Sequence, residues 1–129
     1  MPQRTLVEAI ALNQSALGMM LKGDCSAYIE ILSDRDDVSW GNPFGPFSAG
    51  RNNVEATLAA AAERMKGGTH LQPVRIATYQ ADGIAVVVEA ERGIGTAGPF
   101  ELRVTSVYRC ENDDWRLVHR HADPITTPR

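Results

Sequence analysis

The stretch "LRVTSVYRCENDDWRLVHRHAD", Leu102 to Asp123, decides the fold. Two runs of alternating apolar and polar residues flank the turn Glu111-Asn112-Asp113-Asp114, so the whole reads as an antiparallel hairpin. Along its second strand the period of two puts Trp115, Leu117, His119, His121 and Asp123 on one face. Arg116, Val118, Arg120 and Ala122 fall on the other. The first row passes from aromatic and apolar to polar, as expected for the wall of a pocket that is apolar at depth and wet at its mouth.

Upstream, "HLQPVRIATYQ" and "IAVVVEAER" read as two more strands, set off by the turn signals Ala81-Asp82-Gly83 and "GIGTAG". Val86 and Val88 then share one face and Glu89 and Glu91 the other, where the acids read as solvated or as paired across to Arg103 and Arg109. Before the meander come helices. The apolar stripe Leu6, Ala9, Ile10, Leu17 and Met20 predicts one over Thr5–Leu21, ended by Lys22-Gly23. Asp24 is placed to cap a short second helix bearing Ala27, Tyr28, Ile31 and Leu32. "VSW" predicts a short strand, and "GNPFGPFSAG" an ordered loop. The alanine-rich run Asn52–Met65 is a third helix, with Asn52 or Asn53 as its cap. Three helices followed by a four-strand meander is a segregated α+β pattern, and the chain reads as one domain over residues 1–129.

Composition narrows the function. With 43% hydrophobic and 22% charged residues the chain has the make-up of a globular protein. A formal charge of −3 is not that of a domain whose business is the nucleic-acid backbone. The N-terminal segment has no apolar run long enough to span a bilayer and does not read as a signal peptide, so no membrane partner and a cytoplasmic location are expected. Cys25 and Cys110 stand in no metal-binding spacing and read as reduced thiols.

"KGD" between the first two helices, "GNPFGPFSAG" before the third, and the Leu102–Asp123 hairpin together resemble the NTF2-like superfamily, in its SnoaL-like and DUF4440-like (ketosteroid isomerase-like) branch. They are also similar to the association domain of calmodulin-dependent kinases, another member of the fold. The resemblance covers nearly the whole chain. It implies a cone in which the three helices pack on a strongly curved, mainly antiparallel sheet around an apolar pocket. It also implies a homodimer formed through the outer sheet face.

The best-known chemistry of that superfamily does not transfer. The catalytic base of ketosteroid isomerases sits in an Asp-Pro-x-Gly loop, where this chain has Asn42-Pro43-Phe44-Gly45. Their helix tyrosine corresponds to Ala16. An amide cannot take a proton, and an alanine cannot donate one.

Two functions from different classes therefore stand. One is a cofactor-independent isomerase, cyclase or dehydratase acting on an apolar carbonyl compound. His119 or His121 would shuttle the proton, Asp123 would orient the imidazole, and Arg103 or Tyr28 would stabilise an enolate oxygen. The other is a non-catalytic ligand-binding or self-associating domain. In either, Tyr28, Trp40, Asn42, Phe44, Phe47 and Thr105 are the candidate ligand contacts for a small apolar molecule. No metal is expected, since His119, His121 and Asp123 lack a second cluster of ligands and His70 lies at the far end of the meander.

Overall fold

The computed structural model describes residues 3–43 and 45–125. Helix α1 spans Leu6–Met20, α2 Ser26–Ile31 and α3 Arg51–Met65. Strands β1 (Ser39–Gly41) and β2 (Ser48–Ala49) precede α3, and β3 (Thr69–Ala81), β4 (Ile84–Gly95), β5 (Gly98–Glu111) and β6 (Asp114–Pro124) follow it. The six strands form one sheet in the order β2-β1-β6-β5-β4-β3, antiparallel except where β1 runs parallel to β6. The α+β class and the meander agree with the sequence reading. The two-residue strand β2 lies inside what the sequence presents as loop.

Local chemistry explains each helix start. Thr5 caps α1 in a reciprocal box: its hydroxyl accepts from the Glu8 amide at 3.1 Å and the Glu8 carboxylate accepts from the Thr5 amide at 2.9 Å. The expected cap on α2 is displaced by one residue. Cys25 holds the cap position without a side-chain bond, and Asp24 serves from just outside, accepting from the Ser26 amide at 2.9 Å. The expected asparagine cap on α3 is replaced altogether. Gly50, at φ 88°, turns the chain into the helix, and Asp36 reaches across to accept from the Arg51 amide at 2.9 Å. Arg51 itself donates to the carbonyls of Ile29, Leu32 and Ser33 and so satisfies the end of α2.

The helices cover the sheet face that carries Ala85 and Val87 of β4, Tyr108 of β5 and Leu117 of β6, all of which are fully buried. Tyr108 therefore faces inward with Leu102 and Val104, not out toward a partner. Its hydroxyl accepts from Asn13 Nδ2 at 2.6 Å, and the same amide donates to Ser106 Oγ at 3.1 Å. Burial pushes the Tyr108 phenol up to about 12.

On β6, Leu117 pairs with Tyr108 and His119 pairs with Val107, so Val118 is an extra residue with no partner of its own. This β-bulge reverses the alternation of the strand's second half. Leu117 faces the core, and so do Arg120 and Ala122, which sit opposite Ser106 and Val104. The single row from Trp115 to Asp123 expected from strict alternation does not exist.

Glu89 and Glu91 lie on the inner face and are 4% and 3% exposed, not solvated. Glu89 accepts from Gln14 Nε2 at 2.6 Å and Arg75 Nε at 3.0 Å. Glu91 pairs with Arg120.

Candidate ligand cavity

Between the helices and the inner sheet face lies a cavity of about 380 Å3. One wall is Leu17, Met20 and Leu21 at the end of α1, and another is Ala61, Arg64 and Met65 at the end of α3. Trp40, Asn42 and Pro43 come from β1 and the loop after it. The tip of the β4–β5 hairpin, residues 95–100, closes the remaining side with Leu102 and Ala122. Among the lining residues Arg64, Thr96, Ala97, Pro99 and Pro124 are exposed and mark the mouth, while Tyr28, Trp40 and Arg120 are buried and form the floor.

Glycine shapes one wall. Gly93 is buried opposite Phe100, and a Cβ there would lie 2.6 Å from Phe100 Cε2 and 2.8 Å from the Thr69 carbonyl oxygen. Only hydrogen at that position leaves the ring room to lie against the cavity.

The floor is a buried cation between two rings. The Arg120 guanidinium carbon lies 5.4 Å from the Tyr28 ring centroid and 5.9 Å from that of Trp40. Those two rings meet edge to face at 5.2 Å. Arg120 Nη2 donates to Glu91 Oε1, a residue set behind it and absent from the cavity wall. Burial works against the Arg120 charge, yet the Glu91 carboxylate more than offsets that and holds its pKa above the ordinary arginine value. Burial likewise pushes the Tyr28 phenol above its usual range, so it stays protonated. Two donors here lack partners: Arg120 Nε and Tyr28 Oη are both buried and unbonded. A buried donor without an acceptor is costly.

Of the residues expected at the site, Tyr28, Trp40 and Asn42 line this cavity. Phe44 lies outside the described residues. His119, His121, Asp123, Arg103, Thr105 and Phe47 do not line it. The bulge at Val118 turns both histidines to the outer sheet face, where His119 pairs with Val107 and His121 with Thr105. Arg103, opposite Asp123, belongs to that same face and is exposed, because the inward row of β5 is Leu102, Val104, Ser106 and Tyr108. The structure thus brings the predicted catalytic residues together, but on the wrong side of the sheet for the cavity.

The outer cluster has its own order. Ser39 Oγ lies 2.8 Å from His119 Nδ1, and His121 Nε2 lies 3.2 Å from Asp123 Oδ1. Phe47, 66% exposed, packs edge-on to His121 at 5.3 Å between ring centroids, over Gly41. Among the described residues no group of three potential ligands is placed to hold a metal.

Burial holds the His119 imidazole below its ordinary 6.5, opposed by its bond to Ser39 and reinforced by the nearby His121. The unfolded chain then binds that proton more readily than the fold does, so stability is complete above pH 6.5 and falls as pH drops below it. Urea unfolding at pH 5 and pH 7.5 should show a lower midpoint at pH 5. The gap should narrow in His119→Gln, and an unchanged gap would remove His119 from the account.

Strict alternation misses that Arg120 faces the cavity floor and that Glu91 is buried behind it. Leu117 and Ala122, five apart and both buried, cannot face one core on an unbroken strand, so the structure carries a one-residue slip between them.

Comparison with known proteins places this geometry. The family described as "SnoaL-like domain" matches residues 9–126. Among curated proteins, none matches the sequence. A protein described as a calcium/calmodulin-dependent protein kinase type II association domain, from Thiobacillus denitrificans, superposes with a TM-score of 0.82 at 22% identity, over 98% of this chain and 100% of its own. A protein described as an NTF2-like dehydratase, from Streptomyces avermitilis, gives 0.75 at 20% identity over 94% and 97% of the two chains. One described as a ketosteroid isomerase, from Parabacteroides distasonis, gives 0.67 at 16% identity over 96% and 95%. At these identities the likeness is one of fold.

Proposed function

The chain belongs to the SnoaL-like domain family, and on that footing we propose that its cavity binds a small, largely apolar molecule through one oxygen atom, without catalysing its turnover. The observation that carries the reading is the floor: two unpartnered donors, Tyr28 Oη and Arg120 Nε, lie buried within the side chains that close a cavity otherwise walled mostly by apolar residues. Binding is favoured over catalysis because, among the described lining residues, there is no aspartate, glutamate, histidine, cysteine or lysine to move a proton. The neighbours described as a dehydratase and an isomerase share the fold.

A thermal-shift screen of planar aryl ketones tests this. A ligand at about 100 times its Kd should add about 2.7 kcal/mol of stability, which is a rise of several degrees in Tm. The shift should persist in the His119→Ala, His121→Ala double variant and vanish in the Arg120→Met, Glu91→Met double variant. Loss of the shift in the histidine variant would return the site to the outer face.

The outer face supports a second reading, self-association. Val74 (46% exposed), Tyr79 (62%) and Phe47 (66%) leave apolar surface open on the side of the sheet opposite the helices. A second copy packed there would cover it, and a relative described as an association domain shares the fold. Sedimentation of wild type and Tyr79→Glu should show a dimer reduced to monomer, and equal mass in both would refute the pairing.

A further inference from the structure

We propose that Glu91 sets the charge of the molecule the cavity accepts: compensating Arg120 from behind the wall, it makes the floor a receptor for an uncharged compound and turns carboxylates away. This rests on the binding reading above and adds the ligand's class, together with the residue that selects it.

Arg120 lines the cavity, and a buried cation standing alone in a cavity wall would make an anion site. It does not stand alone. Its side chain is 6% exposed and that of Glu91 4%, and the two form one ion pair of which only the cation reaches the wall. Opposite charges in contact nearly cancel for a ligand seated beyond them, so an anion at the floor meets a dipole and not a cation. It would still give up its water there, and that desolvation exceeds what a compensated pair returns. An uncharged carbonyl compound carries no such penalty.

The groups around the pair leave the balance as it is. Burial keeps the Tyr28 phenol protonated, so its ring adds no charge beside the guanidinium. Glu89, the next acid on the inner face of β4, has its own cation in Arg75, with Nε 3.0 Å from Oε2. The other charged residue among the described lining, Arg64, stands at the exposed mouth and not at the floor. Ligand charge is thus decided by a side chain outside the cavity wall, and Glu91→Gln alters it while keeping an amide oxygen for Arg120 Nη2.

Calorimetric titration of the full chain with three naphthalenes of nearly one shape tests this. The probes are 2-acetylnaphthalene and 2-naphthamide, both uncharged, and 2-naphthoate, an anion. Wild type should bind each neutral probe at least about tenfold tighter than the anion. Glu91→Gln strips the Arg120 charge of its carboxylate, so 2-naphthoate should become the tightest of the three, a swing of about a hundredfold on the scale of one buried charge pair. The neutral probes should change little and alike. A cavity merely loosened by the substitution would weaken all three.

Wild type binding 2-naphthoate as tightly as the neutral probes, or a neutral-to-anion ratio unmoved in Glu91→Gln, would overturn the assignment. If Glu91→Gln does not fold, the wild-type ratio decides alone. Failure of the underlying binding reading has a different mark: 2-acetylnaphthalene then does not bind wild type, or binds the Arg120→Met, Glu91→Met double variant equally well.

Discussion

Arg120→Met alone should cost the fold about 3–5 kcal/mol, whereas Arg120→Met combined with Glu91→Met should recover most of that loss. The single change removes the cation and strands the Glu91 carboxylate, 3% exposed, on the inner face of β4. Nothing else bonds that carboxylate among the described contacts, so it must either ionise unpaired or take up a proton. The double change replaces both charges with side chains of similar length in a region already lined by Tyr28, Trp40 and Leu102. Urea unfolding of the four proteins of the cycle measures the coupling directly. A double variant no more stable than the worse single one would mean that the pair contributes through shape and ring contacts and not through charge.

Deletion of Val118 should be comparably disruptive, at more than about 3 kcal/mol. Without the extra residue the two halves of β6 cannot both keep their present faces. If the first half holds, His119 and His121 swing inward and Arg120 is driven out, leaving Glu91 buried and unpaired. If the second half holds, Leu117, now fully buried, is turned to solvent and its bridge to Leu32 is lost. Val118→Ala keeps the residue count and, at a half-buried position, should cost well under that. A deletion variant as stable as Val118→Ala would show that the bulge is not what sorts the two faces.

That bulge also marks where the sequence stops being legible. The helices follow from the apolar stripe of α1 and the alanine run of α3, and the meander follows from the turn signals between strands. These are local patterns with strong periods, and the structure reproduces them to within about three residues. Tyr28, Trp40 and Asn42 line the cavity because they lie where helix ends and a short strand converge on it. The histidines do not, since period-two reasoning assumes unbroken pairing and one unpaired residue inverts every later assignment. Glu89 and Glu91 failed differently. Two acids on a strand read as solvated unless the cations that meet them are known, and here those cations come from β3 and from the inverted half of β6. Nor does alternation reveal that α3 is started by Asp36 from another segment, because a cap supplied across the fold leaves no mark at the helix itself.

The most direct test of the central claim is the infrared carbonyl stretch of 2-acetylnaphthalene, labelled with carbon-13 at the ketone and bound to the protein. Donation by Tyr28 Oη and Arg120 Nε should lower that stretch well below its value in an alkane solvent, and Tyr28→Phe should return it part of the way. A bound carbonyl that absorbs where it does in alkane, in wild type and Tyr28→Phe alike, would mean that the two donors never meet the ligand and that the floor of the cavity is not its recognition site.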